Sequence, residues 1–300
     1  LALKLAGIDR NTLDPIGGKI DKDASGEPNG VLIDKASSLV ESIIPKRTRE
    51  EEKRALREGL NRTAKMGWTQ LHDAGSPLSD YEILNELKKD EGLPVRIQFY
   101  VSDGEDGNKF LDEGPYLDPD HFLTSRGIKF YADGAIGSRG AAFFDKYDDY
   151  ETKGFLIFQK EETIPKLIKA LVNGIQIQTH AIGDLANKIT LDWYEEAFNK
   201  VSTENRIIEN PRWRVEHAQN IKPEDQKRYS DLKVIASMQP SHAIGDLHFA
   251  HKRLGEERLK DAYTWKNLIE LGVVVVGGSD APVEIGDPRI EFTAAVSRKD

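Results

Sequence analysis

The sequence predicts an α/β protein built as a (β/α)8 TIM barrel. Seven short and often continuously apolar segments alternate with helical segments between residues 48 and 282. This alternation is typical of a parallel sheet covered by helices. Seven to eight such units in about 250 residues favour a barrel over an open, doubly wound sheet. No glycine-rich phosphate-binding fingerprint follows an early strand, which argues against a dinucleotide-binding fold.

The individual elements follow from their residue patterns. The first long helix is predicted over 48–67, because Thr48 and Glu51 have capping-box spacing and Gly67 follows the last apolar position. The six predicted helices are TREEEKRALREGLNRTAKMG, DYEILNELKKDEG, TIPKLIKALVNG, LANKITLDWYEEAFNKV, KPEDQKRYSDL and EERLKDAYTWKNLIELG. The seven predicted strands are WTQLHDAG, LPVRIQFYVS, GIKFYADG, IQIQTHAIGD, RWRVEHAQ, KVIASMQPSH and VVVVGGSDAP. Residues 1–46 are rich in Gly, Pro and Asp, so we predict an irregular segment there and the barrel domain over 47–300.

Composition excludes some classes of partner and bears on the cellular compartment. The 300-residue chain has a net charge of −9 and no long apolar run, so we expect neither nucleic acid nor a membrane as partner. The absence of cysteine excludes disulfides and thiolate metal sites but leaves the compartment open, with the cytoplasm favoured. The start, LALKLAG, is too short for a secretory leader. The chain opens on Leu1 and closes on Asp300 within charged sequence, which suggests a piece of a longer protein.

Polar side chains follow the predicted strands at their carboxyl ends, where barrel enzymes keep their chemistry. His180, His217 and Asp280 each close a run of strand-forming residues. Nitrogen and oxygen donors that converge from separate strands suit zinc or a similar divalent ion. We therefore favour a metal site over the alternative that these are satisfied structural residues. The other polar residues near strand ends are His72, Asp73, Lys129, Asp133, Gln239 and His242.

Lys129 lies inside a predicted strand. Side-chain alternation places Ile128 and Phe130 against the helices and Lys129 inside the barrel. Burial there would lower the pKa of Lys129 and make the neutral amine available. A neutral amine can take up CO₂ to form a carbamate, which is an anionic oxygen ligand. A salt bridge from Lys129 to Asp280 or Asp133 explains the spacing equally well.

Five motifs together resemble the metal-dependent amidohydrolase superfamily: GIKFYADGAIGSRGAA, THAIGDLAN, RVEHAQ, SMQPSHAIGD and GGSDAPVE. The segment AGIDRNTLDPIGGKIDKDASGEPNGVL is similar to one in the branch that contains N-substituted formamide deformylase. The resemblance spans almost the whole chain in the expected order. It implies a barrel of the metallo-dependent hydrolase type with a small β-sandwich, and a site for one or two divalent metal ions such as zinc.

The resemblance also implies residue roles. The metal ligands would be Lys129, His180, His217 and Asp280, with Lys129 carrying a bridging carbamate. Metal-activated water would hydrolyse a C–N bond in a small-molecule amide, formamide or cyclic amide. Asp280 would be the catalytic general base and would pass the proton to the leaving nitrogen. The expected substrate contacts are Asp133, Arg139, Gln239 and His242, with Ser138 beside Arg139.

The sequence departs from the family pattern at its first metal motif. The family's first strand ends in a His-x-His pair, and none of the seven histidines here lie two residues apart. The β-sandwich segments are missing too. We therefore expect an incomplete barrel of strands two to eight, with residues 1–46 inserted after the missing first strand. Such a piece would bind metal only partially, be inactive alone and self-associate as a homo-oligomer through its open edge.

Two other functional classes remain open. A barrel without His-x-His could be a non-catalytic or regulatory protein. A metal-free lyase could use Lys129 as a Schiff-base amine. His248 and His251 are three residues apart, and we expect a solvated helix face there rather than a ligand pair. His72 and Asp73 are expected to be structural polar groups.

Overall fold

A computed structural model describes residues 1–298, which form a seven-stranded sheet and a two-stranded one. The strands are β1 (Gly18–Lys22), β2 (Pro28–Asp34), β3 (Gln70–Ser76), β4 (Arg96–Ser102), β5 (Leu123–Tyr131), β6 (Gln176–Ala181), β7 (Arg214–His217), β8 (Ile235–Met238) and β9 (Val275–Gly277). In the larger sheet β3 to β9 follow chain order, and every neighbouring pair is parallel. This unbroken order matches a barrel wall, since a doubly wound sheet reverses its order at a switch point. The predicted α/β class and its seven strands are confirmed, and their numbering as strands two to eight stays a prediction.

At least one helix lies between each pair of successive strands in the large sheet, and other helices precede β3 or follow β9. The helices are α1 (Ala2–Leu5), α2 (Ser38–Glu41), α3 (Arg49–Lys65), α4 (Leu78–Asp90), α5 (Glu105–Glu113), α6 (Lys160–Val172), α7 (Asp184–Lys200), α8 (Pro223–Asp231), α9 (Pro240–Gly245), α10 (Ala250–Leu259), α11 (Trp265–Glu270) and α12 (Pro288–Ser297). The capping box of α3 is formed, with Thr48 N donating to the Glu51 carboxylate at 2.9 Å. The single helix predicted over 256–272 is wrong, because the chain turns at Tyr263, with φ of 54°, between α10 and α11. None of the helices in the described part of the chain is long and apolar enough to cross a membrane.

The composition of the segment 1–46 predicts irregular structure. The segment instead contains β1 and β2, which form an antiparallel hairpin. The residues between β1 and β2 form the turn of this hairpin. There the Asp23 carboxylate accepts a hydrogen bond from Ser25 N at 2.8 Å, and Gly26 has a φ of 85°. The segment buries a small apolar cluster of its own, made of Ile8, Ile20 and Ala36. Turn-forming residues dominate its composition, and they concealed the two short strands.

The main apolar core lies between the large sheet and its helices. Ile128 and Phe130 of β5 are 0% and 1% exposed within it, as their alternation predicts. Parallel registration pairs Tyr131 with His180, and Ala181 with His217. The carboxyl ends of β5, β6 and β7 therefore meet at one edge of the sheet, which positions the candidate site.

A polar network, buried except at His72, lies on the opposite face of the sheet from this core. Arg214 and Glu216 flank Val215 on β7, and Arg214 Nε lies 2.6 Å from Glu216 Oε1. Arg214 also donates to Gln178 Oε1 at 2.9 Å and to His72 Nδ1 at 2.8 Å. Partial burial and the Arg214 guanidinium lower the pKa of His72 to about 4. His72 is therefore a neutral acceptor with a structural role.

Gly75 lets the end of β3 approach Lys129. Its φ is 106°, and a Cβ there would lie 2.9 Å from Lys129 Cβ. We expect Gly75→Ala to lower the free energy of unfolding by about 2 kcal/mol, because the backbone and the contact would both be strained. Gly59→Ala, in α3 with open space around it, is the matched control and should raise it by about 0.5–1 kcal/mol. Urea unfolding measures both, and equal effects would contradict this prediction.

The low pKa of His72 predicts a pH dependence of stability. The unfolded chain binds a proton at His72 near pH 6.5, whereas the folded chain does so only near pH 4. Protonation therefore favours the unfolded state, and stability falls as the pH drops from 6.5 towards 4. We expect His72→Gln to lose less stability over this interval than the wild type. His251→Gln, which changes an exposed histidine, should follow the wild type in urea unfolding at both pH values.

Candidate metal centre

The four residues predicted to be metal ligands lie at the carboxyl edge of the sheet. Lys129 is near the end of β5, His180 is on β6, His217 ends β7 and Asp280 follows β9. The ring centroids of His180 and His217 are 4.5 Å apart. Lys129 and His180 are also electrostatic neighbours of Asp280. The structure thus brings all four into one region.

Three side chains are close enough to share a metal ion. His217, His242 and Asp280 each offer one nitrogen or oxygen atom, and these atoms lie within 4.8 Å of one another. The two imidazoles stack, with centroids 5.7 Å apart. Within residues 1–298, His242 Nε2 is buried and has no hydrogen-bond partner, and Asp280 Oδ2 lies 3.9 Å from it. Two nitrogens and a carboxylate suit zinc and similar ions, so His242 lies among the candidate ligands rather than only beside the substrate.

The backbone is strained at two of these positions. His217 has a φ of 71°, the next residue, Ala218, has a φ of 44°, and Asp280 has a φ of 55°. Left-handed conformations are unfavourable for residues with a Cβ and cluster at functional sites. At the end of β7 this turn breaks the alternation that would otherwise send His217 and Glu216 to opposite faces.

Hydrogen bonds fix which nitrogen of each imidazole is free. His217 Nδ1 lies 2.7 Å from Gln239 Oε1, and His180 Nε2 lies 3.2 Å from Gly134 O. Both oxygens can only accept, so these nitrogens carry protons and the opposite nitrogens are available as ligands. Burial and the neighbouring His180 hold the pKa of His217 well below its usual range, which keeps the ring neutral. Gln239 thus orients His217, and its expected contact with substrate stays a prediction.

Lys129 and Asp280 influence each other's charge. Lys129 is 4% exposed, with Nζ 4.8 Å from the centroid of the Tyr131 ring. Burial lowers the pKa of Lys129, and Glu216 and Asp280 oppose this effect. Burial raises the pKa of Asp280, while His242 and Lys129 oppose the rise. The salt bridge that the spacing allows, from Lys129 to Asp133 or Asp280, is not formed within residues 1–298, and Asp280 Oδ2 lies 3.9 Å from His242 Nε2 instead.

Asp133 is buried and bound to backbone N–H groups, and its expected contact with substrate stays a prediction. It is 1% exposed, and its carboxylate accepts hydrogen bonds from the backbone N–H groups of Ala142, Ile182 and Gly183 at 2.8 to 3.0 Å. His180 Nε2 lies 3.4 Å from Asp133 Oδ1. Both oxygens are therefore used to join loops, and Asp133 supports the site from beneath.

Arg139, also predicted to contact substrate, is held by another side chain. Its guanidinium makes two hydrogen bonds to the Asp149 carboxylate, at 3.0 and 2.9 Å. Ser138 donates to Ala135 O within the same loop at 3.2 Å. His248 and His251 are exposed and lie outside the donor cluster, as expected.

Sequence reasoning missed several charged residues at the site. Glu284 Oε1 lies 3.7 Å from His242 Nε2, and Glu216 and Arg214 form the ion pair below Lys129. The charged residues of RVEH, two apart in a buried strand, were the available signal for that pair. Asp34, at the end of β2, reaches the same region from the N-terminal segment, and no local pattern indicated it.

Comparisons with known proteins identify the family of this chain. A family model described as "Amidohydrolase family" matches residues 1–300. "Putative amidohydrolase YtcJ" of Bacillus subtilis is 35% identical, over 99% of this chain and 55% of its own length. N-substituted formamide deformylase of Arthrobacter pascens is 27% identical, over 99% of this chain and 56% of its own length.

This chain is also similar to a solved structure of a metal-dependent hydrolase. The crystal structure of an uncharacterized metal-dependent hydrolase from Pyrococcus horikoshii superposes with a TM-score of 0.77 and 27% identity, covering 99% of this chain and 56% of that one. The chain spans about half the length of the curated relatives it matches. The family match over the full chain, together with the parallel sheet and the donor cluster, shows that the chain belongs to the amidohydrolase family.

Proposed function

We propose that the protein hydrolyses a C–N bond with the help of a bound divalent metal ion. The observation that carries this proposal is the cluster of His217, His242 and Asp280, whose donor atoms lie within 4.8 Å of one another. A buried imidazole nitrogen without a partner, as at His242, calls for a ligand, because buried polar atoms are nearly always satisfied. The donor set therefore fits a cation such as zinc.

The chain's own residues would prepare this cation site in two ways. His217 and His180 are orientated through their protonated nitrogens by Gln239 Oε1 and Gly134 O, so the opposite nitrogens are presented as donors. Burial keeps His217 neutral, which is the form that binds metal. When bound, a divalent ion polarises a substrate carbonyl and lowers the pKa of water.

Asp280 is proposed as the general base. Burial raises the pKa of this carboxyl, which moves it towards the operating range of a proton shuttle. The water oxygen bonds to the carbonyl carbon while Asp280 takes a proton from that water. As the C–N bond breaks, Asp280 gives the proton to the leaving nitrogen. The products are a carboxylic acid and an amine.

We further propose that Lys129 carries a carbamate. Its Nζ would bond to the carbon of CO₂ and release one proton, and the carbamate oxygens would add to the donor set. Three properties support this: the side chain is 4% exposed, burial lowers its pKa towards the neutral amine, and it forms no salt bridge within residues 1–298. The residual attraction of Glu216 and Asp280 opposes deprotonation but does not remove the cost of a buried, unpaired ammonium.

The proposed substrates are small amides, formamides and cyclic amides. Membership of the amidohydrolase family supports a small-molecule substrate, and the name of the relative from Arthrobacter pascens supports N-substituted formamides. The chain spans about half the length of these relatives. This activity is therefore proposed for the full-length natural protein that contains the chain.

The proposal predicts metal content and a role for Asp280. The longest natural protein containing this chain should retain zinc or another divalent ion after purification, measured by plasma mass spectrometry. Asp280→Asn should lower kcat on an N-substituted formamide by about 10²–10⁴, because a general base contributes that much. Asp231→Asn, in an exposed pair on α8, is the matched control and should leave kcat unchanged.

Two results would contradict this function. A protein that binds no divalent ion would remove the basis for hydrolysis. Borohydride trapping of a carbonyl compound on Lys129 would instead support the Schiff-base alternative.

A further inference from the structure

Asp34 ends β2, yet its side chain enters the loop that follows β5. An ideal Cβ at Gly134 would lie 2.4 Å from Asp34 Oδ2, and one at Gly140 would lie 2.2 Å from it. Glycine at both positions is therefore needed to admit the carboxylate. Gly134 N donates to Gly140 O at 3.3 Å, so the carboxylate lies at the neck of the loop 134–140.

This placement is unfavourable for folding in two respects. Asp34 has φ of 48° and ψ of −124°, a conformation that residues with a Cβ rarely adopt. Its Oδ2 is buried without a hydrogen-bond partner in the described chain, residues 1–298. Burial raises the pKa of Asp34, and the imidazole of His180 opposes the rise. Strain and an unsatisfied charge at one residue indicate a function rather than a contribution to stability.

The position of Asp34 connects it to a candidate metal ligand. The residue it contacts, Gly134, offers the carbonyl oxygen that lies 3.2 Å from His180 Nε2. That hydrogen bond leaves His180 Nδ1 free for the metal centre. A cation bound at Nδ1 would place positive charge on the ring, and a carboxylate on the other side would stabilise that charge.

We propose that Asp34 is a positioning residue of the metal centre, contributed by the N-terminal segment. Its carboxylate lies at the neck of the loop that presents the Gly134 carbonyl to His180, and it compensates the charge that a bound divalent ion would place on that imidazole. The inference rests on the proposed function, because it concerns the affinity of the same site for metal. This proposal gives the segment 1–46 a role in the site, although the segment lies far from the other site residues along the chain.

Asp34→Asn tests this proposal, because it keeps the shape of the side chain and removes its charge. We expect the affinity of the metal-free protein for Zn²⁺, measured by competition with a chromogenic chelator, to fall about tenfold. The thermal midpoint of the metal-free protein should stay unchanged or rise, because an unpartnered buried carboxylate is lost. A merely structural role predicts a lower midpoint, so the two readouts separate the two roles.

Lys35→Ala is the matched control in the same segment. It removes the hydrogen bond from Lys35 Nζ to Ile157 O, which is 3.3 Å long, without touching Gly134. Its Zn²⁺ affinity should equal that of the wild type. Gly140→Ala tests the same contact in a second way, since the new methyl group would displace the Asp34 carboxylate. Gly137→Ala is its control, because the methyl group there would meet only Phe249.

The outcomes separate this proposal from the proposed function. Wild-type affinity in Asp34→Asn would overturn the positioning role alone. Weaker binding together with a lower thermal midpoint would make Asp34 a folding determinant and would also overturn it. A wild-type protein that binds no Zn²⁺ or other divalent ion would overturn both proposals.

Discussion

The Asp133 carboxylate joins the loop after β5 to the end of β6 through three backbone N–H groups, those of Ala142, Ile182 and Gly183. A buried carboxylate deprived of these donors would be costly, so the two loops are held together. The constraint extends to the site, because His180 precedes Ile182 by two residues and hydrogen-bonds to the residue after Asp133. The orientation of His180, a candidate ligand, therefore depends on this arrangement.

Burial controls the charge state of the ionisable side chains at the site. The Arg214–Glu216 pair neutralises itself beneath the centre, His217 is kept neutral, and Lys129 is buried without a salt bridge in the described residues. A neutral imidazole and an ionised carboxylate are the forms in which such groups bind cations. The folded chain thus maintains donors that would be unfavourable in an ordinary core, and the strained backbone of His217 and Asp280 adds to that cost.

The N-terminal segment contacts the loop that follows β5, beside the candidate site. Its hairpin has its own apolar cluster, and Lys19 and Lys35 contact the loop region after β5. These contacts bring the end of β2 to the neck of the loop 134–140. The segment that its composition predicted to be irregular therefore contacts the same loop that orients a candidate ligand.

The sequence by itself determined the alternation of helices and strands, the capping box at Thr48, the inward position of Lys129 and the presence of donors at strand ends. These features depend on near neighbours and on periodicity, which are local properties of a chain. The tertiary structure alone decided that His242 joins His217 and Asp280, that Asp133 turns to backbone amides, and that the residue reaching Gly134 comes from the hairpin. Such contacts join residues far apart in sequence, so they are set by the path of the folded chain and leave no local pattern.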